Sequence, residues 1–372
     1  MAFDIDPPAE AAAERPAPAS DDLLTIAPPR LDEAHAEALA REAFGIAARA
    51  RRLTSERDLN FALACDDGAG FVLKIANAGE SQATLDFQLG ALEHVAAADP
   101  AIPVPRVRRP LDGERLARVD DETGRPHLVT LLGFLPGAPL AAAAPTTALV
   151  AEVGALLARL DVALAGYEHP AAERALLWDL GRAGDLAGLV DHVEDERLRD
   201  RVAAVLDDFA ARAVPVLPML RRQVIHNDPN PHNLVVAPPG DGPGEAARVA
   251  GIIDFGDMLR APLVNDLAVA ASYHVARGEA PLGMAAGLIA AYHRTNPLTA
   301  AETALLPLMI ATRCVLTVVI TAWRAALYPE NRDYILRNVP AATAALERLS
   351  GAAGDRAAAA IHAIGERKAS ER

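Results

Sequence analysis

Two short polar clusters, each directly after an apolar run, limit most strongly how this chain can fold. The first cluster, HNDPNPHN at residues 226–233, follows Val224 and Ile225 and holds three of the chain's nine asparagines. The second cluster, DFGD at residues 254–257, follows the run VAGII. We interpret the Val- and Ile-rich segments beside them as short strands, with GDGPGE as the turn of a hairpin. The strands of one hairpin would bring the two clusters side by side.

The side chains of these clusters are those that phosphoryl transfer requires. Asp228, Asn233 and Asp254 offer two carboxylates and one amide. Amide and carboxylate oxygens are hard ligands suited to Mg²⁺, and a second carboxylate can accept a proton from a hydroxyl. Phosphoryl transfer also needs positive charge on the phosphate donor. A cation that reaches the same cleft would supply this charge.

Lys74 is the candidate for that cation. The chain has 36 lysines and arginines, of which only Lys74 and Lys368 are lysines. Lys74 lies inside the predicted strand FVLKIA, where a buried lysine is costly unless it is paired. Its ammonium is a compact point charge on a flexible stem, which arginine does not reproduce. The alternative is a lysine on an edge strand that reaches out to solvent.

The order of predicted elements indicates an α+β fold in two parts. Residues 30–44 have helical apolar spacing, and the segments NFALAC, GFVLKIA and HLVTLLGFL (127–135) are strand candidates. We expect a small antiparallel sheet with one helix against it, and helices from about residue 146 onwards. A chain of 372 residues is long enough for two lobes. The expected parts are a disordered tail (1–28), a nucleotide-binding N-lobe (29–135), a mainly helical C-lobe (136–350) and a terminal helix or tail (351–372).

Composition argues against several classes of protein. The formal net charge is −14, whereas a nucleic-acid-binding surface is basic, so we expect no nucleic acid partner. Cys65 and Cys314 are too few for a disulfide framework or a zinc site. The apolar stretch 306–323 carries Arg313, which is costly in lipid, so we expect a buried helix and no membrane contact. The N-terminus lacks a secretory pattern, and we expect a cytoplasmic protein.

The motifs resemble those of protein kinases and, more closely, those of the aminoglycoside phosphotransferase family. HNDPNPHN follows H-x-D-x-x-x-x-N, DFG matches the kinase metal-binding triplet, and FVLK resembles V-A-I-K. The motif spacing and the lack of an A-P-E segment are similar to the small-molecule kinases, which share the protein-kinase-like fold. LTSERDLNF, ARLDVALAGYEHPAAERALLWDL, GIIDFGDM and PLVNDLA resemble the hydroxylysine kinase branch, which includes kinase modules fused to class III aminotransferases.

The resemblance implies a role for each residue that matches the catalytic motifs. Asp228 would be the base that accepts the proton of the substrate hydroxyl. Asn233 and Asp254 would hold Mg²⁺ on the nucleotide phosphates. Lys74 would contact the α- and β-phosphates of the donor, and the choice between ATP and GTP stays open.

Three further residues would support the site by the same resemblance. The ring of His226 would brace the catalytic loop. Asp266, in the string NDLA, would stabilise that loop by hydrogen bonds. Asp257 would be a second carboxylate near the metal, with its role left open.

Two departures from the protein-kinase pattern leave alternatives. LTSERDLNF stands where a protein kinase has its glycine-rich loop, and it contains no glycine. Ser55 and the backbone of residues 55–60, including Asn60, are therefore the candidates for phosphate contacts. The carboxylate partner of the strand lysine is Asp86, which aligns best by pattern, or Glu80.

The resemblance puts the acceptor site on the helical lobe. The candidate residues there are Trp178, Asp179, Arg313 and Arg324, with Tyr273, His274 and Trp323. An arginine can bind a substrate carboxylate through two hydrogen bonds, and Asp179 could meet an ammonium group. This favours an amino alcohol or a hydroxylated amino acid such as hydroxylysine, with an aminoglycoside, homoserine or choline as alternatives. A homodimer and a functional link to a class III aminotransferase stay open.

Two hypotheses from other classes compete with a kinase. A metal-dependent phosphohydrolase could use His226, Asp228, His232, Asp254 and Asp257, but dinuclear sites usually draw more histidines from separate strand ends. A catalytically silent binding module on the kinase fold would normally lack the base, the lysine or a metal ligand. None of these residues is missing from the sequence.

Overall fold

The computed structural model describes residues 28–55, 58–239 and 246–367. All but the last residue of the expected tail, 1–28, lie outside these ranges. Within them the chain forms a sheet-rich N-lobe followed by a larger, mainly helical C-lobe. The predicted α+β class is confirmed.

The described part of the N-lobe contains a six-stranded antiparallel sheet. Its strands are β1 (Arg49–Leu53), β2 (Leu59–Ala64), β3 (Gly70–Ile75), β4 (Val107–Arg108), β5 (Ala117–Asp120) and β6 (Pro126–Gly133). They run in the order β1-β2-β3-β6-β4, and β5 also pairs with β6. Strands β2, β3 and β6 match the three predicted segments, whereas β1, β4 and β5 were not predicted. β1 reads RARRL and is largely exposed, so it lacks the apolar alternation that marks a strand.

The register of this sheet decides which side chains face the C-lobe. Asn60 of β2 lies opposite Lys74 of β3, which lies opposite Thr130 of β6. Their neighbours Phe61 and Leu73 are fully buried in the core of the N-lobe. Because successive side chains of a strand point to opposite faces, Asn60, Lys74 and Thr130 form a row on the other face.

Two helices belong to the N-lobe, α1 (Glu33–Phe44) and α2 (Gln82–Ala98). Phe44 of α1 packs in the same apolar cluster as the strand residues of the sheet. Phe87 of α2 belongs instead to the core of the C-lobe. One helix, α1, covers the sheet, and α2 joins the two lobes.

The C-lobe is built from helices around one large apolar core. Its helices among the described residues are α3 (Thr147–Leu164), α4 (Glu196–Asp208), α5 (Val264–Ser272), α6 (Ala285–Thr295), α7 (Ala300–Leu327), α8 (Arg332–Ile335), α9 (Val339–Arg348) and α10 (Gly351–Arg367). A run of 3₁₀ turns, Leu180–His192, lies between α3 and α4. Helices α3 and α6 approach closely at Gly154, where an added Cβ would overlap the carbonyl oxygen of Leu288.

Helix α7 passes through the centre of the C-lobe. Among the described residues it is the helix long and apolar enough to cross a membrane, yet 89% of its most apolar window is buried inside the protein. Thr299 and Glu302 form a capping box at its start. The prediction of a buried helix at 306–323 is confirmed.

Five short strands position the two polar clusters. They are β7 (Ala138–Pro139), β8 (Arg222–Ile225), β9 (Leu234–Ala237), β10 (Arg248–Ile252) and β11 (Leu259–Pro262). The predicted hairpin strands are β9 and β10, whose predicted turn GDGPGE (240–245) lies outside the described residues, and β8 pairs with β11. Residues 226–233, the HND loop, therefore connect β8 to β9, and residues 253–258, the DFG segment, connect β10 to β11. The pairing brings the loop and the segment together, and the N–H of Ile253 donates to the carbonyl of Asn233 at 2.8 Å.

Candidate active site

A cleft of about 660 Å³ lies where the two lobes meet, within the range of about 300–1,000 Å³ typical of small-molecule sites. One side, the sheet-and-loop wall, consists of the row on the sheet, the HND loop and the DFG segment. The other side, the helix wall, consists of Tyr273, Arg313, Thr317, Thr321, Arg324, Tyr334, Arg337 and Asn338.

Most of the predicted site residues line this cleft. They are Ser55, Asn60, Lys74, Trp178, Asp228, Asn233, Asp254, Asp257, Tyr273, Arg313 and Arg324. The predicted supports His226 and Asp266 are buried behind it. Asp86 and Asp179 do not line the cleft.

Lys74 reaches into the cleft from the sheet. Its side chain is 26% exposed, and its Nζ lies 3.9 Å from Oδ1 of Asp254. Asn60 and Thr130 flank it in the row on the sheet, and both line the cleft. The ammonium therefore faces the DFG segment across the cleft rather than bulk solvent.

The expected pairing of Lys74 with Asp86 was wrong. Oδ1 of Asp86 lies 3.9 Å from the Arg115 guanidinium, which also donates to Glu93 at 3.0 Å. Asp86 and Glu93 are two turns apart on one face of α2, so one arginine binds both carboxylates. Glu80 does line the cleft, but its carboxylate accepts a hydrogen bond from the backbone N–H of Ser81. The carboxylate beside Lys74 is that of Asp254.

The HND loop is held from below by Asp266. The backbone N–H groups of His226 and Asn227 donate to the two oxygens of its carboxylate. Asn227 has a φ of 66°, a left-handed conformation that a non-glycine residue keeps only when its surroundings hold it. The two hydrogen bonds supply that restraint.

His226 links the HND loop to the DFG segment as a neutral ring. Burial lowers its pKa to about 4. Its Nε2 donates to the carbonyl of Ile253 at 3.1 Å, and its Nδ1 accepts from the N–H of Asp228 at 3.3 Å. The ring also packs edge-on against Phe255, with the ring centroids 4.8 Å apart.

Asp161 is a buried residue beneath the loop that sequence reasoning missed. It shares a hydrogen bond with Asp266, and burial together with the charge of Asp266 raises its pKa well above the usual range. Tyr292 donates its hydroxyl to Asp161 at 2.6 Å. A protonated Asp161 can donate to Asp266 and leave that residue's charge on the loop. The only feature of the sequence that could have indicated this role is an aspartate within an otherwise apolar helix.

Asp228 stands in the HND loop at the junction of the two walls. Its Oδ2 accepts hydrogen bonds from the amides of Asn230 and Asn233, at 2.7 and 2.9 Å. Its Oδ1 lies 3.4 Å from Nη2 of Arg313. Burial, with the negative charges of Asp257 and Asp254, raises its pKa to about 8 against the opposing effect of Arg313. A carboxylate with a pKa near neutrality is suited to general base catalysis.

The residues present fit a hard divalent cation. Asn233 donates its amide N–H to both the backbone carbonyl and the carboxylate of Asp228, which leaves its amide oxygen for a cation. Asp254 has a φ of 65°, and Asp257 lines the same cleft. Within the described ranges no three His, Cys, Asp or Glu side chains are grouped as metal ligands. The oxygens of Asn233 and Asp254 are of the kind that Mg²⁺ prefers.

The helix wall carries residues at successive turns of α7. Arg313, Thr317, Thr321 and Arg324 all line the cleft, and their spacing of three or four residues puts them on one face of the helix. Sequence reasoning missed Thr317 and Thr321, although their spacing from Arg313 was a usable signal. It also missed Tyr334, Arg337 and Asn338, which reach the cleft only through the packing of the following helices.

Three predicted acceptor residues lie outside the cleft. Asp179 lines a separate shallow groove, where its Oδ1 accepts from the N–H of Gly181 and caps the 3₁₀ turns. This local hydrogen bond turns the carboxylate away from the site. His274 is buried in the core of the C-lobe, and Trp323 does not line the cleft.

Comparison with known proteins agrees with this geometry. The model of the phosphotransferase enzyme family (APH) matches residues 49–305. A hydroxylysine kinase from Mus musculus is 29% identical over 328 residues, covering 83% of this chain and 87% of that protein. A homoserine kinase from Pseudomonas aeruginosa (strain UCBPP-PA14) is 31% identical over 260 residues, covering 69% of this chain and 74% of that protein.

A solved structure shows the same fold. The structure of a microcompartment-associated aminopropanol kinase superposes with a TM-score of 0.59 at 19% identity, covering 90% of this chain and 99% of that one. The region matched by the family model includes Lys74, the HND loop and the DFG segment. The chain belongs to the phosphotransferase enzyme family.

Proposed function

We propose that this protein is a small-molecule kinase that transfers the γ-phosphate of ATP or GTP to a hydroxyl of an amino alcohol or a hydroxylated amino acid. The observation that carries the proposal is the position of Asp228. Two asparagine amides hold its carboxylate where the walls of the cleft meet, with Lys74 and Asp254 on one side. Arg313 lies on the other side. The similarity to a hydroxylysine kinase supports the choice of acceptor.

Asp228 acts as the base in this proposal. Its carboxylate accepts the proton of the acceptor hydroxyl while the hydroxyl oxygen forms a bond to the γ-phosphorus. The bond between the γ-phosphorus and the bridging oxygen breaks, and the nucleoside diphosphate leaves with the electron pair. The raised pKa of about 8 suits a group that must hold a proton transiently near neutral pH.

The sheet supplies the nucleotide contacts. Lys74 would contact the α- and β-phosphates, because it is the lysine of the row on the sheet and faces the DFG segment. Asn60, in the same row, and Ser55, at the edge of the cleft, are available for further phosphate contacts. The roles of the N-lobe (29–135) in nucleotide binding and of the C-lobe (136–350) in catalysis are part of this proposal.

Asn233 and Asp254 would hold Mg²⁺, with Asp257 as a nearby carboxylate. When bound, the ion would offset the charge of the phosphate oxygens. His226 and Asp266 take no part in the chemistry and keep the HND loop in register with the DFG segment.

Location and partners are also part of this proposal. We infer a cytoplasmic enzyme, because the apolar helix α7 is packed inside the C-lobe. A homodimer stays an open suggestion, and a functional link to a class III aminotransferase is suggested by the resemblance. Sedimentation of the purified protein tests the first of these two suggestions.

A phosphate-transfer screen tests the proposed function. Purified protein is incubated with γ-labelled ATP or GTP, Mg²⁺ and one acceptor chosen from 5-hydroxylysine, homoserine, ethanolamine, choline and kanamycin. We expect label on a hydroxylated amino acid or amino alcohol, and none with the Asp228→Asn variant. Transfer to kanamycin alone would overturn the acceptor class, and release of phosphate from a phosphomonoester without nucleotide would indicate a hydrolase. Nucleotide binding without transfer to any acceptor would indicate a silent module.

A further inference from the structure

Arg313 is a buried cation whose hydrogen bonds are incomplete. Its side chain is 4% exposed, and its guanidinium lies 4.5 Å from the ring centroid of Trp178 and 5.8 Å from that of Tyr273. Nη2 donates to the hydroxyl of Tyr273 at 3.0 Å. Nε and Nη1 are buried and have no hydrogen-bond partner among the described residues. Buried donors without acceptors are costly, so this position is prepared for a ligand that accepts hydrogen bonds.

The charge on the helix wall is of one sign. Arg324 and Arg337 line the cleft on the same side as Arg313, and the described residues of the helix wall include no carboxylate. The acids that line the cleft, apart from Asp228 at the junction, come from the N-lobe (Asp58 and Glu80) and from the DFG segment (Asp254 and Asp257). The whole chain has a formal net charge of −14, so this basic wall is a local feature. It suits an anionic group and opposes a polycation.

We propose, resting on the kinase function above, that the acceptor carries a carboxylate and that Arg313 binds it. A guanidinium and a carboxylate match as planar partners through two parallel hydrogen bonds. Trp178 and Tyr273 lie against the guanidinium as cation–π partners, and the hydroxyl of Tyr273 also accepts its hydrogen bond, so its direction is restricted before the ligand arrives. The cleft therefore selects a hydroxylated amino acid over the amino alcohol that lacks the carboxylate.

The same contact links acceptor binding to the base. Either pair of guanidinium nitrogens that can hold a carboxylate includes Nη2, and Nη2 also lies 3.4 Å from Oδ1 of Asp228. A bound carboxylate therefore competes with Asp228 for that nitrogen and leaves Oδ1 to the acceptor hydroxyl. An amino alcohol has no carboxylate to compete for Nη2, so the guanidinium of Arg313 stays in contact with Asp228. Such an acceptor should therefore have a lower kcat as well as a higher KM.

Matched substrate pairs test the proposal. Each pair differs only in the carboxylate: homoserine with 3-amino-1-propanol, threonine with 1-amino-2-propanol, and 5-hydroxylysine with its decarboxylated diamine. We expect wild-type kcat/KM to favour the carboxylate member of the preferred pair by about 10- to 100-fold, the scale of one charged hydrogen-bonded contact. Arg313→Gln should bring this ratio close to one.

Two further variants keep the outcome interpretable. Arg212→Gln removes an exposed arginine paired with Asp208 far from the cleft, and it should leave the ratio at the wild-type value. Arg313→Lys keeps the charge but loses the planar fork, and it should give an intermediate ratio. If Arg313→Gln does not fold, the wild-type ratio and the lysine variant still decide the matter.

Each other outcome has a distinct meaning. A wild-type enzyme that prefers the amino alcohol would overturn the carboxylate subsite while the kinase function stands. An Arg313→Gln variant that loses the same factor on both members of a pair would show that Arg313 acts on the phosphoryl group or the base instead. Absence of transfer to every acceptor would reject the proposed function itself.

Discussion

The two walls of the cleft are held in different ways. On the sheet-and-loop wall, the key side chains come from strand ends and from two turns in which Asn227 and Asp254 have φ values of 66° and 65°. Hydrogen bonds to the backbone and between side chains fix these turns. On the helix wall, the side chains repeat along one face of α7 and are placed by the packing of a regular helix.

This difference separates the chemistry from the choice of substrate. A residue on the sheet-and-loop wall depends on its neighbours, so its replacement should disturb catalysis strongly. A residue on the helix wall can be exchanged without changing the backbone of α7. We therefore expect large effects on turnover from the first wall and smaller effects, confined to the acceptor, from most of the second.

The largest effect is expected for Asp228→Asn. It should lower turnover by ~10²–10⁴, because it removes the proposed base, while nucleotide binding measured by calorimetry should stay close to wild type. Asp86→Asn is the matched control, since Asp86 pairs with Arg115 away from the cleft. Wild-type turnover in the Asp228 variant would remove this residue from the mechanism.

The next effect is expected for Lys74→Met. It should weaken nucleotide binding by about 10- to 100-fold, because a hydrogen bond to a charged group contributes roughly 1.5–3 kcal/mol. Titration calorimetry with a non-hydrolysable nucleotide measures the loss. Lys74→Arg should recover only part of the affinity, since the guanidinium does not replace a compact ammonium. Unchanged nucleotide affinity in the methionine variant would argue against a phosphate contact.

His274, which is buried in the core of the C-lobe, tests how packing in that lobe contributes to stability. Burial lowers its pKa to about 4, with Arg277 adding to the effect, and its Nδ1 has no hydrogen-bond partner in the described structure. As the pH falls, the imidazole of His274 takes up a proton in the unfolded chain before it does so in the folded protein. Its contribution to the free energy of unfolding is therefore complete above pH 6.5 and falls as the pH drops towards 4. Between pH 6.5 and pH 4, the free energy of unfolding of the wild type should fall by up to about 3 kcal/mol more than that of the His274→Gln variant.

Urea unfolding of both proteins at pH 7 and pH 4.5 measures this difference. Other titrating groups, including His226, are common to the two proteins and cancel in the comparison. Equal losses of unfolding free energy on acidification would mean that His274 takes up its proton in the folded state.

The smallest effect is expected for Thr321→Val. The hydroxyl of Thr321 donates to the carbonyl of Thr317 within α7 at 2.6 Å, so valine replaces it with little change in shape. We expect kcat/KM for the acceptor to fall by less than ~10-fold, the scale of one neutral hydrogen bond, with nucleotide affinity unchanged. A loss above ~100-fold would show that the helix wall is as tightly constrained as the sheet-and-loop wall.

The same contrast explains what could be predicted from the sequence. The HND loop and the DFG segment are continuous strings between short strands, so local pattern was enough to place Asp228, Asn233 and Asp254 near one another. The position of Lys74 inside a strand was also predicted, whereas the row that it forms with Asn60 and Thr130 is set by the register of three strands.

The errors came where contacts outside the two motifs decide, whether those contacts are distant in sequence or local. Asp86 was assigned to Lys74 by pattern, but its direction is set by Arg115, which is remote in sequence. Asp179 was assigned to the acceptor, but a hydrogen bond to Gly181 two residues later turns it away. The buried Asp161 and the cleft residue Arg337 depend on how helices pack, and no local pattern signals such packing.

The scarcity of lysine gives the protein an internal reporter. Only Lys74 and Lys368 carry side-chain amines in the whole chain, and a nucleotide bound as proposed would shield Lys74. A brief treatment with an acylating reagent, followed by mass spectrometry of the peptides, would then report the occupancy of the cleft directly. The wild-type protein needs no engineered label for such an experiment.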